Sequence, residues 1–160
     1  MFSCEIGRSK RAGLRIPVEF DVKCELSDFP VVMGKAVNLS TEGIFIMTAE
    51  LIGTDVKMGL EFLMPATLNS IQVVGESVLS SQCKAEERVS QGTGIRFVNL
   101  GEPYLTMIRD YSLTKLYDDE FLRREGIIQV LSDIRNLPPK YRLKAYNILI
   151  KKGSKHILSN

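Results

Sequence analysis

The sequence predicts a mainly β domain, an antiparallel sandwich or small barrel, followed by about three α-helices. Three observations support this fold class. Six short strand-like runs that contain apolar residues lie in the N-terminal part of the chain, and turn-forming residues separate them. Beyond residue 101 the apolar residues take the spacing of amphipathic helices. The length of 160 residues, with 44% hydrophobic residues, suffices for one core and a small addition.

The first predicted strand has the clearest pattern, because apolar residues occupy every second position from Ile16 to Leu26. Period-two alternation is typical of a strand with one buried face. On that face Cys24 is predicted to behave as a small hydrophobic residue. Pro17 suits an edge or the start of a strand. The other strands are predicted, in chain order, at residues 31–37, 44–47, 56–63, 71–79 and 95–98.

The segments between the predicted strands contain turn formers and charges. Asp28-Phe29-Pro30 predicts the turn after the first strand. Residues 84–91 are charged and are predicted to be exposed. The small run Gly92-Thr93-Gly94 is half of a phosphate-loop pattern, but its place before the last strand favours a hairpin turn.

Helices are predicted from residue 102 onwards. Glu102-Pro103 is predicted to begin the first helix. Proline is tolerated in a first turn, because the N–H group that it lacks would have no hydrogen-bond partner within the helix. That helix is predicted to end at Gly126, and Pro138-Pro139 separates the next two. The predicted organisation is a flexible basic segment at 1–11, a β domain at 12–101, a helix at 102–126 and a helical extension at 127–160.

Composition and charge narrow the class of function. The net charge of +2 gives no excess of basic residues, so DNA binding is not expected. The three cysteines are far apart and form no Cys-x-x-Cys pair, which argues against a zinc site or a disulfide framework. No signal peptide is apparent, and no apolar run reaches the roughly 18–20 residues of a membrane span. A cytoplasmic protein is predicted.

Residues for catalysis are not apparent. The single histidine, His156, lies near the C-terminus, and no Walker or dinucleotide-type glycine loop occurs. Asp118-Asp119-Glu120 is a carboxylate run on a predicted helix, where its members point in different directions. The sequence therefore predicts a protein that is not an enzyme, with no catalytic residue, metal or cofactor.

A first candidate site is the run Lys10–Arg15, in which Arg11 and Arg15 are four residues apart and Lys10 stands in front. A guanidinium group is a planar fork that binds phosphate with two hydrogen bonds and matches the O6 and N7 acceptors of guanine. Two such groups just before a strand suit an anionic ligand that contains guanine.

The second candidate site is the polar turn Asn38–Gly43, between two apolar runs. The amide of Asn38 offers an acceptor to guanine N1–H or to its exocyclic amine, and Ser40 adds a hydroxyl group. Gly43 permits a positive φ or a close approach of two backbones. Each motif alone is common, since Asn, Ser and Gly all favour turns, but their joint occurrence around one predicted strand pair is not.

Together these motifs resemble those of the PilZ domain, the bacterial receptor module for cyclic di-GMP (c-di-GMP). Arg11 and Arg15 match the Arg-x-x-x-Arg switch of that family, and the Asn38–Gly43 turn matches its Asp/Asn-x-Ser-x-x-Gly turn. The segment Gly94–Phe97 is similar to the Gly-φ-x-Phe segment near the end of the family's barrel. The resemblance covers roughly residues 8 to 125.

The resemblance implies a six-stranded antiparallel split β-barrel followed by a helix, and an effector that changes conformation on binding c-di-GMP. The arginines would bind phosphates and guanine, Asn38 and Ser40 a guanine edge, and Gly43 would shape the turn. Lys10 stands where the family varies between one bound ligand and an intercalated pair. The implied ligand-binding residues are Lys10, Arg11, Arg15, Asn38, Ser40 and Gly43.

Signalling is expected to run through a protein partner, which the resemblance places among motility, adhesion or exopolysaccharide machinery. The C-terminal helices would either pack on the barrel as extra core or form a partner or homodimer surface that uses the basic tail, which has no acid after Asp133. The alternative function is a PilZ-like scaffold that binds no ligand, favoured if internal hydrogen bonds occupy Asn38 and Ser40. An RNA-binding barrel ranks last, because it needs aromatic residues exposed on one sheet face.

Overall fold

The computed structural model describes residues 13–27, 31–65, 67, 69–85 and 88–158. The predicted basic segment at 1–11 lies outside these residues, and so do Lys10 and Arg11. Of the described residues, those at 82–85, 88–90 and 154–158 are described by their backbone alone.

Six antiparallel strands close into a barrel, as the resemblance implied. Around the barrel their order is β1-β2-β3-β6-β5-β4, and β4 pairs with β1 to close it. The strands are β1 (Ile16–Leu26), β2 (Val32–Leu39), β3 (Gly43–Thr48), β4 (Lys57–Leu63), β5 (Ser70–Ala85) and β6 (Arg88–Val98).

The first strand follows its predicted bounds, and its alternating residues point into the barrel. Val22 and Cys24 are fully buried. Burial raises the pKa of the Cys24 thiol to about 11, so that this side chain is an uncharged part of the core, as predicted. Pro17 is exposed and stands at a register shift between Pro17 and Phe20, where the ladder with β2 is already irregular.

The hairpin formed by β5 and β6 is longer than predicted. The two strands pair from Val74 and Val98 as far as Ala85 and Arg88. The prediction of a hairpin turn at residues 92–94 is wrong, because these residues lie inside β6 and pair with both β3 and β5. Backbone pairing forms this part of the sheet without the apolar alternation on which the prediction depended.

Among the described residues after the barrel there are four α-helices and one short 3₁₀ turn, where about three helices were predicted. The predicted helix at 102–126 is divided, because the carboxylate of Asp118 accepts hydrogen bonds from the backbone N–H groups of Glu120 and Phe121 and so begins a new helix. Gly126 ends that helix with a φ of 86°. The elements are α1 (Glu102–Thr114), a 3₁₀ turn (Lys115–Tyr117), α2 (Asp119–Glu125), α3 (Ile127–Arg135) and α4 (Pro139–Leu158).

The helices share one continuous core with the barrel interior. Ile108, Leu116 and Ile134 are fully buried in it, and so is Ala145 of α4. The extension after residue 126 therefore contributes to the core through one side of its helices. Within the described ranges, no helix is both long enough and apolar enough to cross a membrane.

Candidate ligand-binding site

An open cavity of about 980 Å³ lies at one end of the barrel. Four of the six residues predicted to bind ligand line it, namely Arg15, Asn38, Ser40 and Gly43. The other two predicted residues, Lys10 and Arg11, lie outside the described part of the chain. The cavity thus brings together the described half of the arginine motif and the polar turn.

Strand register explains why Arg15 meets the turn. At the start of β1, Ile16 pairs with Leu39 and Pro17 pairs with Asn38. Arg15 comes directly before this pairing, at the point where β2 ends and the Asn38–Gly43 turn begins. Its side chain is half-buried, with the Nη1 atom shielded from solvent.

Ser40 holds the turn together. Its Oγ atom accepts hydrogen bonds from the N–H groups of Glu42 (3.2 Å) and Gly43 (3.3 Å), and its own N–H donates to the carbonyl of Gly43 (2.9 Å). The residue is only 8% exposed. A hydroxyl oxygen has two lone pairs and one hydrogen. With both lone pairs used inside the turn, Ser40 can donate to a ligand but not accept from one.

Gly43 is required by the close approach of two strands. A Cβ atom at this position would lie 2.2 Å from the carbonyl oxygen of Ile95 and 3.3 Å from the Cα of Arg96. Backbone atoms occupy that space, so no side chain fits without separating β3 from β6. The N–H of Phe97 also donates to the carbonyl of Glu42 (2.8 Å), which ties the turn to β6.

Asn38 differs from Ser40 in its hydrogen bonding. It lies on β2 at a register shift between Ala36 and Asn38, and its side chain is half-buried. None of the described residues hydrogen-bonds the side-chain amide of Asn38. This amide therefore faces the cavity with donor and acceptor both available to a ligand.

The remaining wall of the cavity is mainly apolar. Phe45 and Leu79 belong to a small apolar cluster on the outer side of β3, separate from the barrel core, and both line the cavity. An apolar wall beside polar groups suits a planar base, which needs both stacking and hydrogen bonds. Residues 44–47 form an uninterrupted apolar run in the sequence, a pattern consistent with a strand covered on both faces, but the prediction there gave only the strand.

Arg96 is a cavity residue to which the sequence prediction gave no binding role. It stands in register with Gly43 on β6, and its guanidinium lies 3.6 Å from the carboxylate of Glu76. Its side chain is exposed. The sequence contained a signal, because Ile95 and Phe97 point into the barrel and the residue between them must point outwards. Arg96 adds a second described cation to the cavity.

The segment before Arg15 connects the cavity to the helices. A Cβ atom built on Gly13 would lie 3.4 Å from Oγ1 of Thr41 in the turn and 3.7 Å from Cδ2 of Leu137, between α3 and α4. Leu14 is buried and lines a small cavity with Leu137 and Tyr141 of α4. A shift of this segment would therefore change its contacts with both the turn and the helical extension.

In the part of the chain that the structure describes, no group of three or more histidine, cysteine or carboxylate residues is placed to hold a metal ion. The charged groups described around the cavity are Arg15, Arg96 and Glu42, with Glu76 beside Arg96. Cations thus outnumber anions among the residues that line it.

The closed barrel and the helix that follows it form a PilZ-like fold, as the resemblance implied. No protein-family model and no curated protein matches this sequence. Similarity is found among solved structures, and it is a similarity of fold.

The PilZ domain of YcgR from Escherichia coli, solved with c-di-GMP, has a TM-score of 0.60 and 11% sequence identity, covering 74% of this chain and 100% of that chain. The inhibitor of motility MotI/DgrA from Bacillus subtilis has a TM-score of 0.59 and 11% identity, covering 69% of this chain and 53% of that one. For apo MrkH from K. pneumonia the TM-score is 0.58 and the identity 12%, with 78% and 55% covered. The alignments thus span about half of the two longer chains.

Proposed function

We propose that the protein is a receptor for c-di-GMP that changes conformation on binding and signals through contact with another protein. The observation that supports this most is the meeting of Arg15 and Asn38 in one cavity. A guanidinium group suits phosphate or the Hoogsteen edge of guanine, and a side-chain amide suits its other edge. The cavity volume of about 980 Å³ lies at the upper end of the usual range for small-molecule sites.

Each predicted residue has a definite role in this proposal. Arg15 binds a phosphate or guanine, and Asn38 uses its available amide on the guanine edge. Ser40 donates its hydroxyl hydrogen while its lone pairs keep the turn closed. Gly43 allows β6 to approach. Arg96 offers a further cation at the opposite side of the turn.

Arg11 and Lys10 complete the proposed site through chain connectivity. Arg11 is two residues before Gly13, and two residues span at most about 7 Å. Gly13 lies against Thr41 of the turn. In this proposal the guanidinium group of Arg11 therefore binds the same ligand, and Lys10 adds charge beside it.

Signal transfer is proposed to start at the segment between the two arginines. When Arg11 and Arg15 hold one ligand, the position of Gly13 and Leu14 is fixed between them. These two residues contact the turn and the junction of α3 with α4. Ligand binding would thereby favour one of two arrangements of the helical extension. The difference in ligand affinity between the two arrangements would determine how far the equilibrium between them shifts.

Isothermal titration calorimetry of the purified protein with c-di-GMP tests the proposal. Binding heat is expected for the wild type and none for Arg15→Ala, and circular dichroism checks that the variant is folded. Arg135→Ala is the matched control, since Arg135 is an exposed arginine of α3 outside the cavity. Folded wild-type protein that gives no heat at high concentration would refute the proposal.

A second candidate is a PilZ-like scaffold that binds no nucleotide and acts by protein contact alone. The internal hydrogen bonds of Ser40 favour it, because they give the serine a purely structural reason to be present. The available amide of Asn38 favours the receptor instead. Calorimetry distinguishes the two, since a scaffold gives no binding heat in the wild type, whereas a receptor binds the nucleotide and loses affinity on Asn38→Ala.

A further inference from the structure

Helix α4 has an outward side that no described residue covers. Leu143 and Ile150 are 63% and 64% exposed, and they are seven residues apart, which places them on the same side of the helix. These two large aliphatic side chains, with the exposed Asn147 between them on the same side, form an apolar strip along two turns.

The opposite side of α4 is firmly attached to the rest of the protein. Ala145 is fully buried, and Tyr141 lies beneath the guanidinium of Arg109 at 5.3 Å from its ring centre. The ammonium group of Lys152 donates to the carbonyl of Leu116 (3.1 Å) and forms an ion pair with Asp119. The apolar strip therefore points away from the core because of packing and not because the helix end is frayed.

A row of lysines runs beside the apolar strip. At 100° per residue, Lys140, Lys144 and Lys151 fall within one narrow sector of the helix, next to Leu143 and Ile150. All three lysines are exposed. We call this set of five residues the α4 face.

No acidic residue opposes these charges along the helix. The sequence has no Asp or Glu after Asp133. The preceding helix repeats the combination, since Ile128 is 82% exposed and Arg135 is also exposed. A surface that binds here must therefore supply negative charge together with an apolar layer.

We propose that the α4 face docks on a membrane surface that contains anionic lipids. Interfacial helices are rich in lysine on the polar side and aliphatic on the other, and anionic headgroups attract such lysines. Protein–protein interfaces are depleted in lysine and enriched in aromatic residues, and the α4 face has three lysines and no aromatic residue. The helix lies on the bilayer and does not cross it. This inference is independent of nucleotide binding.

Vesicle co-sedimentation without nucleotide tests it, using phosphatidylglycerol mixed with phosphatidylcholine and, separately, phosphatidylcholine alone. The protein is expected to sediment with the anionic vesicles only, and to be released by high salt, which screens the lysines. Replacing Lys140, Lys144 and Lys151 with Gln should lower partitioning by about a hundredfold, since one lysine near such a surface contributes about fivefold.

Matched variants distinguish binding through the α4 face from binding through the overall charge or through exposed apolar residues elsewhere. A control variant replaces three lysines of the barrel with Gln, namely Lys23, Lys35 and Lys57. It loses the same charge and should sediment like the wild type. Leu143→Ser with Ile150→Ser should also release the protein, whereas Leu51→Ser with Leu63→Ser, which changes exposed leucines of the barrel, should not. All variants alter exposed or half-exposed positions, and equal melting temperatures would verify that they fold.

Three results would overturn the proposal. These are sedimentation with neither vesicle, equal sedimentation with both, and equal loss in the barrel-lysine variant. The first would leave the α4 face to an acidic protein partner. None of them bears on the c-di-GMP proposal, because the nucleotide is absent and the cavity residues are unchanged.

Discussion

Replacing Gly43 with alanine should test the architecture of the turn more sharply than any other single change. The added Cβ would lie 2.2 Å from the carbonyl oxygen of Ile95. Ordinary non-bonded contacts are about 3.5 Å, so the overlap exceeds about 1 Å. Ile95 cannot simply move away, because it pairs with Ile44 of β3 on one side and with Ser77 of β5 on the other.

The cost follows from that fixed backbone. Overpacking in a well-packed region costs about 1–3 kcal/mol, and the upper end applies when the obstacle is backbone. For a domain of this size each kcal/mol lowers the melting temperature by about 2–4 °C. Gly43→Ala should therefore lower the melting temperature by about 6–12 °C, measured by circular dichroism during heating.

Gly59→Ala is the matched control. Gly59 also lies in a strand, but a Cβ atom there would be no closer than 3.8 Å to its neighbours. Alanine should leave the melting temperature unchanged or raise it slightly, because it reduces the entropy of the unfolded chain. If Gly43→Ala melted like the wild type and like Gly59→Ala, the close contact of β3 and β6 at the turn would be disproved.

Three further predictions concern the helices, the core and the cavity. Asp118→Ala should destabilise the protein by about 1 kcal/mol, because it removes the N-cap of α2, and Asp118→Asn should retain most of the stability in the same thermal melts; equal loss in both would argue against a capping role. Because burial raises the pKa of the Cys24 thiol to about 11 from an ordinary 9.0, the native state keeps a proton that the unfolded state releases. The free energy of unfolding should thus fall between pH 9 and pH 11 more steeply in the wild type than in Cys24→Ala, and parallel urea titrations would contradict this. Arg96→Ala should weaken c-di-GMP binding about tenfold in calorimetry, since a hydrogen bond to a charged group contributes about 1.5–3 kcal/mol and exposure reduces it; unchanged affinity would remove Arg96 from the site.

The local pattern of apolar residues was sufficient to predict the bounds of a strand that has one buried face. β1 was predicted with its observed bounds because its apolar alternation is unbroken from residue 16 to residue 26. The hairpin of β5 and β6 was underestimated, since polar residues reach its end at residues 85 and 88, where backbone pairing alone defines the strands. Apolar periodicity cannot reveal such an extension.

The helical part shows a similar limit. The apolar stripe predicted a helix at 102–126, but the stripe continues across a break that one side chain produces. Asp118 was predicted to lie inside this helix as one of a carboxylate run, whereas it caps α2 through two backbone N–H groups. A side chain that caps a new helix interrupts the preceding one, and the spacing of apolar residues does not reveal such a cap.

The candidate site was predictable where chain order implies proximity. Pairing of β1 with β2 brings the residue before Ile16 beside the turn after Leu39, so that the convergence of Arg15 and Asn38 follows from strand order. Arg96 comes from a distant strand and joins the cavity only through the pairing of β3 with β6. That pairing joins two strands that are not consecutive in the chain, and the motifs alone do not contain this strand order.

The most direct measurement is a crystal structure of the protein with c-di-GMP. The proposed function predicts c-di-GMP in the cavity, with a guanine edge hydrogen-bonded to the amide of Asn38 and a phosphate or guanine of the nucleotide at Arg15. A nucleotide that contacts only one of these two residues, or that binds elsewhere on the protein, would contradict the account.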